Sequence, residues 1–271
     1  MKLKNIDQRL LQSIFLQSLF LYAWFYLKIP HITLWYVLTI FVSIETFQYY
    51  FSNFFKIPYD FKSAMISGTS IIVLLSTDSW QVAVFCTFFT IASKFLIRAN
   101  GKHIFNPNNF GIILTIIMFP TLAKITPYQW GLDSTSLAFL VAAWGVFVTL
   151  SVKRCDIALF FYFGHMASML LFSYTNLFSG NLFLYMISIP ITLFSFFMIT
   201  DPRVTPNTFI GRFIFAGVCV FLTDLIYIFT SLSPSFMFAL PFVGLLTPVI
   251  DKHFGGQNFE WNKRVAVGNS I

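Results

Sequence analysis

The chain of 271 residues draws 57% of them from the apolar set and only 10% from Asp, Glu, Lys and Arg, and its mean hydropathy is +0.77. A water-soluble domain cannot hide that much apolar surface. In a bilayer every backbone polar group must be satisfied within the protein, which leaves a helix bundle or a closed barrel, and the formal charge of +7 has to be explained on that footing before nucleic acid is considered.

Long apolar runs such as 10–27 and 157–178 favour helices over the weak alternation of barrel strands. The first run follows Lys2, Lys4 and Arg9 as a secretory signal would, but it has no small-residue cleavage site. Lys28, Pro30 and a second apolar run come next, so it is expected to be a retained helix. In chain order the pattern predicts ten hydrophobic segments, at 10–27, 31–55, 63–76, 79–97, 110–126, 135–152, 157–178, 181–199, 210–230 and 234–250. With the amino terminus inside, all of the 17 Lys and Arg residues except Lys28 and Lys124 fall at cytoplasmic ends. The positive-inside rule thus accounts for the charge without nucleic acid and puts both termini in the cytoplasm. Trp24, Trp35, Trp80 and Trp130 fall near the outer ends, as an aromatic belt would place them.

Two segments are irregular. The third, Ser63 to Ser76, is short for a span at about 1.5 Å per residue and contains Ser67-Gly68-Thr69-Ser70. The eighth runs into Thr200-Asp201-Pro202-Arg203-Val204-Thr205-Pro206, whose prolines break a helix. They are the third members of two sets of five, and because five is odd the second set enters from the opposite side. The expected fold is therefore an all-α membrane protein of two inverted five-helix repeats, broken at the third and eighth helices. Its parts are a cytoplasmic amino terminus (1–9), a first repeat (10–126), an external connector (127–134), a second repeat (135–252) and a cytoplasmic tail (253–271). Phe110-Gly111-Ile112-Ile113-Leu114-Thr115 in segment five echoes Phe242-Val243-Gly244-Leu245-Leu246-Thr247 in segment ten. Cys86, Cys155 and Cys219 are far apart and form no C-x-x-C pair, which points away from a disulfide framework or a tetrahedral metal site. Cys86 and Cys219, in corresponding helices, read either as small buried hydrophobes or as sharing a redox or metal role.

Chemistry concentrates in two stretches. Residues 98–111 carry Lys102, Asn106, Pro107 and Asn109, with Asn109 placed to cap the next helix. A basic, amide-rich helix start suits a phosphate or a polarised carbonyl, and it reads equally as a capped cytoplasmic loop. Residues 200–212 carry Asp201, Arg203, Thr205 and Arg212 around Pro202 and Pro206. Interrupted backbone at membrane depth is tolerated where protein or a polar cavity satisfies it, and both stretches fall on the same predicted side. Glu45, Lys94, His165 and Asp224 lie inside segments. Lys94, near an end, is expected to snorkel; Glu45, Asp224 and His165 are candidates for an ion or proton path or for structural pairing. The 37 Phe residues read as lipid-facing and packing side chains.

Gly101-Lys102-His103 followed by Phe105-Asn106-Pro107-Asn108-Asn109-Phe110-Gly111 resembles the F-N-P-a-x-x-G loop of membrane subunits B and D of the sodium-pumping quinone reductase and Rnf electron-transport complexes, the NqrB/RnfD family. Phe197-Met198-Ile199-Thr200-Asp201-Pro202, Thr205-Pro206 and Gly211-Arg212 resemble its F-M-a-T-D-P-v-t-s-P…G-R motif. Asp60-Phe61-Lys62-Ser63-Ala64 with Ser67-Gly68, and Leu246-Thr247-Pro248-Val249-Ile250-Asp251, are similar to two further family motifs, in matching order over about 45–252. The resemblance implies a channel-like ten-helix fold similar to ammonium and urea channels, a bound flavin (FMN or riboflavin) and electron transfer beside other membrane redox subunits in a bacterial inner membrane. Family members with covalent FMN attach it to the threonine of an S-G-A-T motif between the halves. Here that region is only Thr126 to Thr135 and lacks the motif, while Ser67-Gly68-Thr69 lies in the short third helix. The expectation is therefore a noncovalent flavin held by Lys102, Asn106, Pro107, Asn109, Asp201, Arg203, Thr205 and Arg212. A channel-like transporter of an ion or small solute, and a scaffold subunit, are the alternative readings.

Overall fold

The computed structural model describes residues 8–125, 135–175, 188–230 and 232–259. The expected external connector at 127–134 and most of the expected tail lie outside the described residues.

Helix α1 (Gln8–Leu21) continues as a π-helical turn, Tyr22–Tyr26. Then come α2 (Leu34–Phe54), α3 (Phe61–Leu74) and α4 (Trp80–Leu96), each begun by a side chain accepting from a backbone N–H: Thr33 from Tyr36, Asp60 from Ser63 and Ser79 from Val82. Such caps satisfy donors that the first helical turn leaves open. Helix α5 (Pro107–Met118) starts three residues before the expected boundary. Its cap is Asn106, whose Oδ1 accepts from Asn109 N at 3.2 Å, and not Asn109 itself. Pro107 occupies the first turn, where its missing N–H costs nothing. The helix also ends well short of residue 126, because Pro120 follows and disfavours helical geometry at Phe119.

Two strand pairs use what the short helices leave free. Helix α3 stops at Leu74, and β1 (Leu75–Ser76) pairs antiparallel with β4 (Lys124–Ile125), Leu75 opposite Ile125. Residues 75–76, expected within segment three, are thus extended. Between α4 and α5, β2 (Arg98–Ala99) pairs with β3 (Lys102–His103) through Asn100-Gly101, with φ of 50° and 81°. Asn-Gly with positive φ at both positions is the tight turn whose twist suits a two-residue hairpin.

The second part holds α6 (Thr135–Ser151), α7 (Cys155–Tyr174) and α8 (Ile189–Leu193, continued as a π-helical turn, Phe194–Met198). They are followed by α9 (Phe209–Thr230), α10 (Ser235–Gly244) and α11 (Thr247–Phe254). Helices α7 and α9 are each long and apolar enough to cross a bilayer, and α10 with α11, bent by 50° at their junction, make a third if counted as one broken span. Helices α3, α4, α5, α6 and α8 are shorter apolar helices.

Packing follows one scheme twice. Helix α1 lies on α3, α2 on α3 and α4, and α4 on α5; likewise α6 lies on α8, α7 on α8 and α9, and α9 on α10. The two sets meet where α1 touches α6 and α5 touches α10. Helix α3 is buried from Ser67 to Leu74, the environment its serines and threonine need in lipid. Close packing rests on glycine at the two echoed positions. A Cβ on Gly111 would lie 2.0 Å from Thr90 Oγ1, and one on Gly244 2.4 Å from the Ile104 carbonyl oxygen. Outside, Trp35, Trp80, Phe139, Phe163, Phe213 and Phe221 are each more than half exposed. An apolar exterior of this extent is stable against lipid and not against water, so the protein is an α-helical membrane protein.

Candidate functional site

The hairpin places the first polar stretch against the second. His103 N donates to the Arg203 carbonyl at 3.1 Å, and Asn106 Nδ2 donates to the Met198 carbonyl at 3.1 Å, so Asn106 both caps α5 and holds the end of α8. Asp201 closes its own turn: its Oδ1 accepts from Arg203 N at 3.0 Å, and its carbonyl accepts from Val204 N and Thr205 N at 3.0 Å. This is how the backbone around Pro202 is satisfied without helix.

The two stretches enclose a cavity of about 160 Å³ together with α1, α3, α4, α6 and α8. Asn106, Pro107, Asp201 and Arg203 line it, joined by His103 and Asn108 from the first stretch. Helix α3 contributes Ser63, Ser67 and Ser70, α4 contributes Lys94, and α8 with its π-helical turn supplies Leu193, Phe196 and Phe197. Arg9 of α1 reaches the same cavity and forms an ion pair with Asp60 there. Burial, reinforced by the Arg203, Arg98 and Lys94 cations, holds the His103 ring down to about pKa 3, so it is neutral at physiological pH. Burial also raises the Asp201 carboxyl above the usual range, against the pull of the Arg203 N–H and the nearby cations.

The remaining expected residues do not line this cavity. Lys102 Nζ donates to Asp251 Oδ2 at 2.8 Å, to Asn207 Oδ1 at 3.1 Å and to the Thr205 carbonyl. Thr205 Oγ1 accepts from Arg154 Nε at 3.1 Å. Arg212 pairs with Asp156 at 2.6 Å and donates to the Asn207 carbonyl at 2.8 Å. Asn109 Nδ2 donates to the Met237 carbonyl at 2.9 Å, tying α5 to α10. Lys102, Thr205 and Arg212 therefore form an interlock away from the cavity that joins the hairpin, residues 201–207, α7 and α11, while Asn109 makes a separate tie.

Lys94 departs from the expected snorkelling. It turns inward, its Nζ bonding Ser67 Oγ at 2.7 Å, Ser63 Oγ at 3.2 Å and the Ser63 carbonyl at 3.3 Å. Ser63 and Ser67 are one helical turn apart on α3 and face α4 together. That spacing, opposite a lysine inside an apolar segment, was the available signal; Arg9 with Asp60 and the neutral His103 had none. Of the three candidates for an ion path, two meet: Asp224 accepts from Ser168 Oγ and lies 3.4 Å from His165 Nδ1. Glu45 instead accepts from the Tyr59 hydroxyl. Cys86 and Cys219 are both buried free thiols.

The donor set suits one end of a flavin better than the whole. Arg203 offers charged N–H groups and Lys94 a positive charge whose own N–H bonds go to Ser63 and Ser67, while His103 Nδ1 and Asn108 Oδ1 are buried without a partner; this combination matches a group with anionic oxygens and hydroxyls. The cavity falls below the roughly 300 Å³ at which pockets for whole ligands begin, so it fits a phosphate-bearing side chain and does not enclose the ring as well. Phe105 and Phe110 stack on each other at 4.8 Å. Phe197 lines the cavity while stacking on Phe15 at 4.8 Å, and Phe15 stacks on Trp144 at 5.7 Å.

No curated protein matches the chain. A model of the family described as NQR2, RnfD, RnfE matches residues 125–260, just over half of the chain. The match takes in α6 to α11, the Asp201 turn and the Asp251 that anchors Lys102. The chain belongs to the NQR2, RnfD, RnfE family.

Proposed function

We propose that the chain is the membrane-embedded electron-transfer subunit of an Nqr- or Rnf-type assembly and binds a flavin without a covalent bond. The observation that carries the proposal is the convergence of the family's two polar motifs on one cavity, with Asn106 and Asp201 in its wall and His103 N bonded to the Arg203 carbonyl. A flavin supplies one- and two-electron chemistry when bound. The chain's own residues would orient it: Arg203 offers charged donors, Lys94 a positive charge, Asn108 an amide, and the Arg9–Asp60 pair stands at the wall contributed by α1.

In this reading the membrane is crossed ten times by two inverted repeats, supported by the packing scheme that recurs between α1–α5 and α6–α10 and by the short third member of each set. Both termini face the cytoplasm of a bacterial inner membrane, as the basic asymmetry argues. Other redox subunits would deliver and accept the electrons. A second reading, ion or solute transport, has one observation in its favour: the His165–Asp224–Ser168 cluster lies within the apolar helices α7 and α9. Ion flux into liposomes containing the chain alone would favour that reading.

The test is flavin content after substitution of cavity residues that leaves the fold intact. Asp201→Asn keeps the acceptor for Arg203 N, and Asn108→Ala removes a side chain outside the interlock. Each should lower bound flavin while the protein remains monodisperse and melts as the wild type does. Full flavin occupancy in both variants would refute the site.

A further inference from the structure

We infer that the cavity contains a subsite for a phosphate carried on a hydroxylated carbon chain, with Arg203 and Lys94 as its cationic wall. Neither cation has a carboxylate within ion-pair distance among the described residues, although Asp60 and Asp201 attract both from further away. Lys94 spends its three N–H bonds on Ser63 and Ser67, all neutral partners, and no carboxylate lies within ion-pair distance of it among the described residues. The Arg203 guanidinium lines the cavity and makes no hydrogen bond or ion pair among the described residues, only its backbone being engaged.

The two acids in the wall balance these cations only in part and from beyond ion-pair distance. Asp60 is paired with Arg9, and Asp201 directs Oδ1 at its own turn and is held toward its neutral form by burial. A cation in a part-buried wall with no adjacent counter-charge is costly. A phosphate dianion would balance both, and the planar guanidinium fork matches its geometry.

A bare phosphate would leave two polar atoms unmatched. His103 and Asn108 line the cavity, and each keeps a buried atom, Nδ1 and Oδ1, without a partner. The ring of His103 is neutral, and in its Nε2–H tautomer the unpartnered Nδ1 is an acceptor. Two acceptors beside two cations call for hydroxyl donors beside an anion. The ribityl phosphate of FMN has this chemistry, as does a glycerol-phosphate lipid headgroup, and about 160 Å³ suits either. Assigning the phosphate to FMN rests on the flavin reading above; the anion subsite does not.

The experiment compares ligands on the full chain in phosphatidylcholine nanodiscs. Fluorescence quenching would measure FMN and riboflavin, and calorimetry would measure glycerol 3-phosphate and inorganic phosphate, for the wild type, Arg203→Gln and Lys94→Met. Arg203→Gln should fold normally, because the guanidinium supports nothing else. The expected result is FMN binding at least tenfold tighter than riboflavin, a preference lost in Arg203→Gln while riboflavin affinity stays within twofold, with glycerol 3-phosphate competing better than inorganic phosphate. Equal FMN and riboflavin affinity, or an FMN preference that survives in Arg203→Gln, overturns the subsite and leaves the flavin reading standing. Arg203-dependent binding of glycerol 3-phosphate with no binding of either flavin does the reverse. If phosphatidylglycerol discs abolish that binding, the natural source is lipid; if no phosphate binds in any arm, the inference is wrong.

Discussion

Lys102→Met separates the interlock from the cavity. Lys102 and Asp251 are 7% and 13% exposed and 2.8 Å apart, so screening by solvent is slight and the pair belongs to the buried class. Removing one partner of such a pair costs about 3–5 kcal/mol, because the Asp251 carboxyl loses its counter-charge and retains, among the described residues, only the Asn207 N–H, at 2.8 Å, as a donor. The Thr205 carbonyl and Asn207 Oδ1 lose the same donor. At roughly 2–4 °C per kcal/mol for a chain of this size, the melting temperature should fall by on the order of 10 °C. Asp251→Asn, which keeps an acceptor for Asn207 N, should cost less, and the double variant should recover part of the loss, with a coupling of about 1–3 kcal/mol. The assay is thermal unfolding in detergent, followed by circular dichroism, with cavity-ligand affinity measured below the transition. Because Lys102 does not line the cavity, affinity should change by less than about threefold. A Lys102→Met protein that melts within a degree or two of the wild type, or that is stable but has lost its ligand, would refute this division of roles.

His103 should make the protein acid-sensitive. Its ring is held down to about pKa 3 in the fold against about 6.5 unfolded, so the unfolded chain binds the extra proton first and stability falls as pH drops from about 6.5 toward 3. His103→Gln should flatten the melting temperature between pH 7 and pH 4.5; equal slopes in variant and wild type would count against a buried neutral ring. Gly111→Ala should destabilise by several kcal/mol, since its Cβ would meet Thr90 Oγ1 at 2.0 Å and lipid-depth packing has little slack. Shortening the neighbour in Thr90→Ala/Gly111→Ala should restore part of the stability, and no rescue would place the strain elsewhere. For topology, single cysteines at Lys62 and Lys252 should react only from the cytoplasmic side and one at Lys28 only from outside. Lys28 and Lys252 labelling from the same side would break the ten-span count.

Local signals in the sequence were legible where one residue type has one local use. Pro202 and Pro206 interrupt the eighth segment as expected, whereas the Asn100-Gly101 hairpin and the start of α5 at Pro107 are signals that the segment pattern passed over. Boundaries set by weaker cues shifted: Asn106 and Asn109 are equally able caps on paper, and the backbone entry angle gives the role to Asn106. Pro120 ends α5 early, although the apolar run continues past it. What could not be read locally is which face of a polar stretch meets a cavity. Residues 98–111 look uniformly polar, yet the hairpin sends His103 and Asn108 to the cavity and Lys102 to Asp251, 149 residues away. Lys94 looks like an end residue until Ser63 and Ser67 are brought beside it. The pairing of β1 with β4 and of Arg9 with Asp60 likewise depends on segments that touch only in the folded bundle.

The flavin proposal is tested most directly by the absorption spectrum of the chain purified from membranes and incubated with FMN, recorded before and after acid precipitation. The expected spectrum has flavin bands at near one flavin per chain, and after precipitation all of the yellow colour is in the supernatant, because nothing covalent retains it. A folded, monodisperse protein that stays colourless, or colour that remains with the precipitated polypeptide, would contradict noncovalent flavin binding by this subunit.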